Sequence, residues 1–301
     1  MWWSRKDAIE RGWRTKDAAR VERETYGKPD PKTGEMKSRY SVYMPNGDAI
    51  WLCRVTTLLD FLAKPGLDYW MIQQTIESIR EQWQPKTAYM DTQIAAALEY
   101  AKGARYRKSS EAAGFGTRTH NIIDGFFCGH PWPTAYDRGR GEAEPVVLEE
   151  EPVQVQNSVA LWLDWWNSNN FRVINAEQFV YNLELGYGGA YDVLLEDQED
   201  CSEILTDWKT SKAIYDTHAL QLVAYGGAMA AMGKGLPDKG LVLCISKEAD
   251  KFEELWVWQN PEEFRQLWTR WLGLCGIKDL QQIVESRVRV HGLAAKAKGA
   301  A

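Results

Sequence analysis

The chain has 301 residues, 45% of them hydrophobic and 26% charged, with a net charge of −6. That is the balance of a globular protein with one large core, or a core with an appended subdomain. A pI near 5.4 excludes a general nucleic-acid coat but is compatible with an enzyme carrying a local basic track. No apolar run reaches the length of a membrane span, and Arg5, Lys6 and Asp7 interrupt any signal-peptide core, so a cytoplasmic location is expected. The five cysteines, Cys53, Cys128, Cys201, Cys244 and Cys275, are scattered and never form a C-x-x-C pair, which indicates neither a disulfide framework nor a zinc site.

In chain order, a charged helix is expected near Arg5 to Thr25, then a Gly/Pro/Lys loop from Gly27 to Lys37 and a hairpin turned at Asn46-Gly47. A helix starting at Thr56 should end at Pro65-Gly66, with further helices from Leu67 and from Asp91. Residues 1–100 thus read as a mostly helical accessory region. The core should span residues 101–290, followed by a frayed tail at 291–301. Within the core, Gly114-Phe115-Gly116 precedes an apolar helix, Asn121 to Phe127, with Thr117 as its N-cap and His120 in its first turn. Pro, Gly and acidic residues from Asp137 to Pro152 mark a surface loop. A helix over Asn157 to Ser168 and a strand over Val173 to Tyr181 follow.

The next two strands carry the chemistry. Gly186-Tyr187-Gly188-Gly189 is a turn signal before Ala190-Tyr191-Asp192-Val193-Leu194-Leu195, an apolar strand with one acid inside it. Glu203 to Lys209 reads as a buried strand, on which Asp207 and Lys209 project from one face because side chains alternate. If the strands pair, Asp192 faces Asp207. Two buried carboxylates side by side repel, and a hard cation such as Mg²⁺ or Mn²⁺ resolves the repulsion. Downstream, Gln221 and Tyr225 share one face of a helix at i, i+4. Strands near Leu241 to Ser246 and Leu255 to Gln259 and a helix from Pro261 complete a mixed α/β sheet flanked by helices.

An Asp-x-Lys alone is more readily an ion pair on a strand face than a site. The ordered set is more specific: Gly116-Thr117-x-x-His120, Glu177, Gly188-Gly189-x-x-Asp192, Asp207-x-Lys209 and Gln221-x-x-x-Tyr225. It resembles the PD-(D/E)XK nuclease superfamily in its RecB-like, phage-type exonuclease branch, over roughly residues 112–230. Weaker similarity reaches Arg54 to Leu59 and Lys64 to Trp70. The resemblance implies a restriction-endonuclease-like fold and Mg²⁺-dependent hydrolysis of DNA, by an exonuclease more than an endonuclease, in recombination, repair or phage DNA processing.

On that resemblance, Asp192, Asp207, the Trp208 backbone carbonyl and His120 are metal ligands, and Lys209 holds the attacking water and favours its deprotonation. Glu177, Gln221 and Tyr225 join the catalytic set, and Asp124, one turn after His120, can orient the imidazole. The track for DNA is Lys102, Arg105, Arg107, Lys108 and Arg118, with Lys64 on a roof over the cleft. Trp208 or Trp70 can stack on an unpaired base. Mg²⁺, with Mn²⁺ able to substitute, is the implied cofactor, without an iron–sulfur cluster because the closely spaced cysteines are missing. The implied partners are DNA that is single-stranded or has ends and a recombination or single-strand-annealing protein, in a bacterial or phage-infected cell. The alternative is a non-catalytic nucleic-acid-binding or recombination-scaffold protein of the same fold. A carbohydrate-active hydrolase would also use paired carboxylates, but it gives no reason for Lys209 or His120.

Overall fold

The computed structural model describes residues 2–3, 12–26, 37–62, 65–82, 90–137, 141–245 and 252–287. The expected helix start at 5–11, the loop at 27–36, Lys64 and the tail at 291–301 lie outside the described residues.

The architecture is α/β, a mixed sheet flanked by helices. Its strands are β1 (Trp2–Trp3), β2 (Arg20–Tyr26), β3 (Lys37–Tyr43), β4 (Ala49–Arg54), β7 (Phe171–Asn182), β8 (Tyr187–Asp197), β9 (Glu203–Lys209), β10 (Lys239–Ile245) and β11 (Phe252–Trp258). They form a nine-stranded sheet in the order β11-β10-β9-β8-β4-β3-β2, with β1 on β4 and β7 on β8. A separate two-stranded sheet joins β5 (Thr134–Asp137) and β6 (Glu142–Pro145). The helices are α1 (Val55–Leu59), α2 (Pro65–Gln82), α3 (Asp91–Lys102), α4 (Ala104–Phe127), α5 (Val153–Ser168), α6 (Asp216–Ala231) and α7 (Pro261–Arg287).

Both faces of the central strands are buried. On one, Val55 and Leu58 of α1, Leu222 and Val223 of α6 and Phe264 and Trp271 of α7 pack with Leu194 and Leu205. On the other, Ile123 and Phe127 of α4 and Trp162 and Trp165 of α5 pack with Val193, Leu195, Ile204 and Trp208. A parallel β9–β10 pair covered on both sides explains why β10 reads Leu-Val-Leu-Cys-Ile rather than alternating. None of the helices described is long and apolar enough to cross a membrane.

Three local expectations are corrected. Arg20–Tyr26 is a strand, not the end of a charged helix, and it pairs with β3, so residues 20–26 and 37–54 extend the main sheet instead of forming a mostly helical region. Val21 and Thr25 supply β-branched positions, and pairing with β3 overrides what the charges suggest locally. Part of the Asp137 to Pro152 loop is the β5–β6 hairpin. Pro65 opens α2 instead of ending a helix, which suits its missing N–H.

The Asn46-Gly47 turn is as expected. Gly47 sits at φ +80 and donates its N–H to Met44 O at 2.9 Å, while the Asp48 N–H bonds Asn46 Oδ1 at 3.0 Å.

Candidate active site

The site lies where the sheet forks. β8 keeps β7 along one edge, but along the other edge it pairs with β4 at Tyr187 and Gly188 and with β9 from Val193 to Glu196. Among the described residues no strand ladder holds that edge of β8 between those stretches, and Asp192 sits at its end, one step before the Val193–Thr206 pair. Continuing the register by one residue sets Asp192 across from Asp207. The divergence of β9 leaves the Trp208 N–H without a β8 carbonyl, and Asp192 Oδ2 accepts it at 2.9 Å.

Asp207 is almost fully buried, and its Oδ2 forms an ion pair with Lys209 Nζ, whose side chain is 19% exposed. That Oδ2 has no hydrogen bond of normal geometry. Burial, and then the charge of Asp207, push the Asp192 carboxyl well above its ordinary range; Lys209 opposes this, while Glu177 and Asp124 add to it. Burial lowers the Lys209 ammonium, but Asp207 and Asp192 more than offset it, so its pKa is raised. Lys209 is therefore a cation that donates hydrogen bonds and charge.

His120 comes from the opposite layer. α4 runs unbroken through Gly114-Phe115-Gly116, so Thr117 is mid-helix and caps nothing, and His120 lies well inside the helix instead of in its first turn. A glycine in a helix interior costs about 1 kcal/mol relative to alanine, and at Gly116 a close contact accounts for it. A Cβ there would meet Thr210 Oγ1, just past β9, at 2.7 Å. Further along α4, a Cβ on Gly125 would fall 1.9 Å from Thr134 O of β5. Burial and the charge of Lys209 lower the His120 imidazole to about 3, so it is neutral at physiological pH and can serve as a ligand. Its ring centroid lies 6.2 Å from that of Trp208. Asp124 is buried one turn on and acts electrostatically on Asp192.

On the other side, Gln221 Nε2 donates to Tyr225 Oη at 2.8 Å. Burial and the Asp207 charge keep the phenol neutral. Tyr225 lies against Gly189, where a Cβ would stand 2.5 Å from Cε1 of the ring. The glycine pair before Asp192 therefore includes the spot on β8 over which the tyrosine lies. A contact not foreseen from sequence holds this arrangement: Tyr187 Oη donates to Ala224 O at 2.9 Å, fixing α6 beside Tyr225. Glu177 stands opposite Asp192 on β7 with φ 52, left-handed backbone that costs a side-chain-bearing residue energy.

The fold thus brings together Asp192, Asp207, Lys209, His120, Glu177, Gln221 and Tyr225. Among the described residues no three His, Cys, Asp or Glu side chains are grouped so as to hold a metal ion.

The proposed phosphate track fares differently. Arg118 is tied to Glu151 and Glu144, its pKa raised by those carboxylates, and it borders an acid-lined cavity of about 240 Å³ with Asp137 and Glu142. It is a structural cation. Lys102 pairs with Glu99, and Arg107 folds back to donate to Tyr100 O at 3.0 Å with its guanidinium over that ring. Lys108 is exposed, and the side chain of Arg105 lies outside the described residues. Trp208 is fully buried and stacks on Phe127 with centroids 5.1 Å apart, so it cannot stack on a base, whereas Trp70 is partly exposed.

No family model and no curated protein matches the chain. A solved structure described as the crystal structure of SSO0001 is 16% identical over 39% of this chain, with a TM-score of 0.24. The chain spans 57% of that structure's length.

Proposed function

We propose that the chain is a metal-dependent deoxyribonuclease with a restriction-endonuclease-like fold of the PD-(D/E)XK class, acting as an exonuclease in DNA recombination, repair or phage DNA processing. The observation that carries this reading is the meeting of Asp192, Asp207 and Lys209 at the sheet fork, with a neutral imidazole on one side and a Gln221–Tyr225 pair on the other.

The residues fit a hard divalent cation in charge and donor type. Asp192 and Asp207 share a buried place with Lys209 against them, Glu177 and Asp124 add negative field, and burial and Asp207 push Asp192 toward keeping a proton. Asp192, Asp207, the Trp208 carbonyl and His120 would hold Mg²⁺, or Mn²⁺ in its place. Bound there, the ion supplies a Lewis acid and a water of lowered pKa.

The chain's own residues supply the rest. Lys209, held protonated by its two acids, donates to the attacking water or to charge growing on the phosphate, and needs no low pKa to do so. Tyr225, neutral and braced by Gln221, offers an O–H to a phosphate oxygen. Trp208 and Phe127 exclude water behind the strand.

The deciding experiment incubates the protein with labelled linear single strands, linear duplex and covalently closed circles, with Mg²⁺ and with EDTA. Short products from linear DNA from the first minutes, persistent circles and silence in EDTA support the reading. Rapid nicking of circles points to an endonuclease, and no cleavage of any substrate with Mg²⁺ or Mn²⁺ overturns hydrolysis and favours a non-catalytic nucleic-acid binder.

A further inference from the structure

We propose that Cys244 is a positioning residue: its thiol latches the turn that follows Lys209 and so sets where the lysine stands at the fork; its bearing on hydrolysis rests on the nuclease reading. Cys244 is buried on β10, where it is the registered partner of Lys209 in the parallel β9–β10 pair. Partners in register project to one side of a sheet, so the thiol stands beside the lysine. Its Sγ donates to Ser211 O, two residues past Lys209, at 3.0 Å. Ser211 Oγ lies 3.7 Å from the same sulfur and donates to Ala213 O at 2.7 Å, which closes the turn on itself. A second tie comes from the next strand. Glu253, paired with Cys244 across β10–β11, accepts the Ile214 N–H at 3.3 Å.

The turn at 210–215 is where the parts of the site meet. Lys209 ends β9 on one side of it, and α6, with Gln221 and Tyr225, starts at Asp216 on the other. Its first residue, Thr210, stands against Gly116 of α4, four residues before His120. A change in the turn therefore reaches the lysine, the Gln221–Tyr225 pair and the helix of the imidazole together. The β9–β10 ladder ends at the Cys244–Lys209 pair, so the Ser211 carbonyl lies beyond it, and the thiol extends the tie between the two strands past the lysine. A thiol packs much as the aliphatic side chains of Val242 and Leu243 do, but it adds a donor, though a weak one. Glu253 holds the far end of the turn, and Cys244 holds the end next to Lys209.

The test compares Cys244→Val with Cys244→Thr, each checked for folding by circular dichroism. Valine and threonine share a shape and differ in the hydroxyl, so the pair isolates the donor; Cys244→Ala and Cys244→Ser repeat the comparison with smaller side chains. In EDTA, hydrogen exchange of the amides at 211–216 should quicken by about tenfold in the valine and alanine variants and stay near the wild type in the threonine and serine variants. With Mg²⁺ and linear DNA, the two donor-free variants should lose about tenfold or more in kcat at an unchanged KM, and the two hydroxyl variants should recover most of it. Equal exchange with and without the donor overturns the latch. Quickened exchange with a wild-type kcat overturns its role in positioning Lys209. The expected exchange pattern in a protein that cleaves no DNA keeps the latch and removes the nuclease reading.

Discussion

Asp192 commits one carboxylate oxygen, Oδ2, to the backbone N–H of Trp208, the residue between Asp207 and Lys209, at 2.9 Å. The bond ties two strands at the point where their ladder ends. An asparagine can accept the same N–H without bringing a charge. Asp192→Asn should therefore abolish hydrolysis while stabilising the metal-free protein by about 1 to 2 kcal/mol, because it replaces a carboxyl penalised first by burial and then by Asp207 with a neutral amide. Urea denaturation in EDTA beside a cleavage assay checks both halves; a destabilised variant would mean that the two acids do not strain each other.

Gly189→Ala places a methyl group 2.5 Å from Cε1 of Tyr225. The ring must move, breaking its alignment with Gln221, at a cost of about 1 to 3 kcal/mol from overpacking. Hydrolysis should fall more than stability explains. Thermal melts and kcat of the variant beside Tyr225→Phe test it: similar kcat losses in the two variants place the effect on the phenol.

The pH dependence of the metal-free protein has two opposing parts. An unfolded histidine titrates near 6.5, and His120 in the fold only near 3. The folded value is the lower one, so between them the unfolded chain takes the proton, and stability falls as pH drops from about 6.5 toward 3. Asp192 is raised instead, so its contribution is present at low pH and is lost as pH climbs through its folded value. His120→Asn should remove the first part, its folding constant falling up to about tenfold less per pH unit than the wild type's between pH 6 and 4. Urea titrations at several pH values in EDTA read the slopes; parallel slopes would show that His120 is not held neutral.

Arg118→Gln should behave as a stability variant. It leaves Glu151, whose side chain is only 12% exposed, without its cation, and should cost about 1.5 to 3 kcal/mol. The salt dependence of DNA binding, measured from 50 to 200 mM salt, should stay as in the wild type. A slope reduced by about one unit would restore Arg118 to the phosphate track.

The site was more legible in the sequence than the sheet around it. Asp192, Asp207 and Lys209 stand out because a charged residue inside an apolar strand demands a partner, and two strand periods fix which side chains meet. Gln221 and Tyr225 follow from helical spacing and do bond each other. The strand at Arg20–Tyr26 was hidden because its alternating Arg and Glu also suit a solvated helix, and only pairing with β3 decides. Thr117 was misread because Gly114 and Gly116 look like a helix boundary until Thr210 is seen against Gly116. Arg118 looked like part of a basic run because Glu144 and Glu151, far along the chain, come to it only in the fold.

α4 meets its neighbours at two points where a side chain would not fit, Thr210 at Gly116 and Thr134 at Gly125. His120 lies between them, four residues from one and five from the other. A rod resting on two supports bends little in the middle, so the imidazole can shift appreciably only if the whole helix lifts from both. Precision at the fork is then a property of two missing methyl groups. An alanine at Gly125, against the backbone carbonyl of Thr134, should act as a wedge, tilting the rod and carrying His120 away from strands that have themselves not moved, whereas at Gly116 the Thr210 hydroxyl can turn aside.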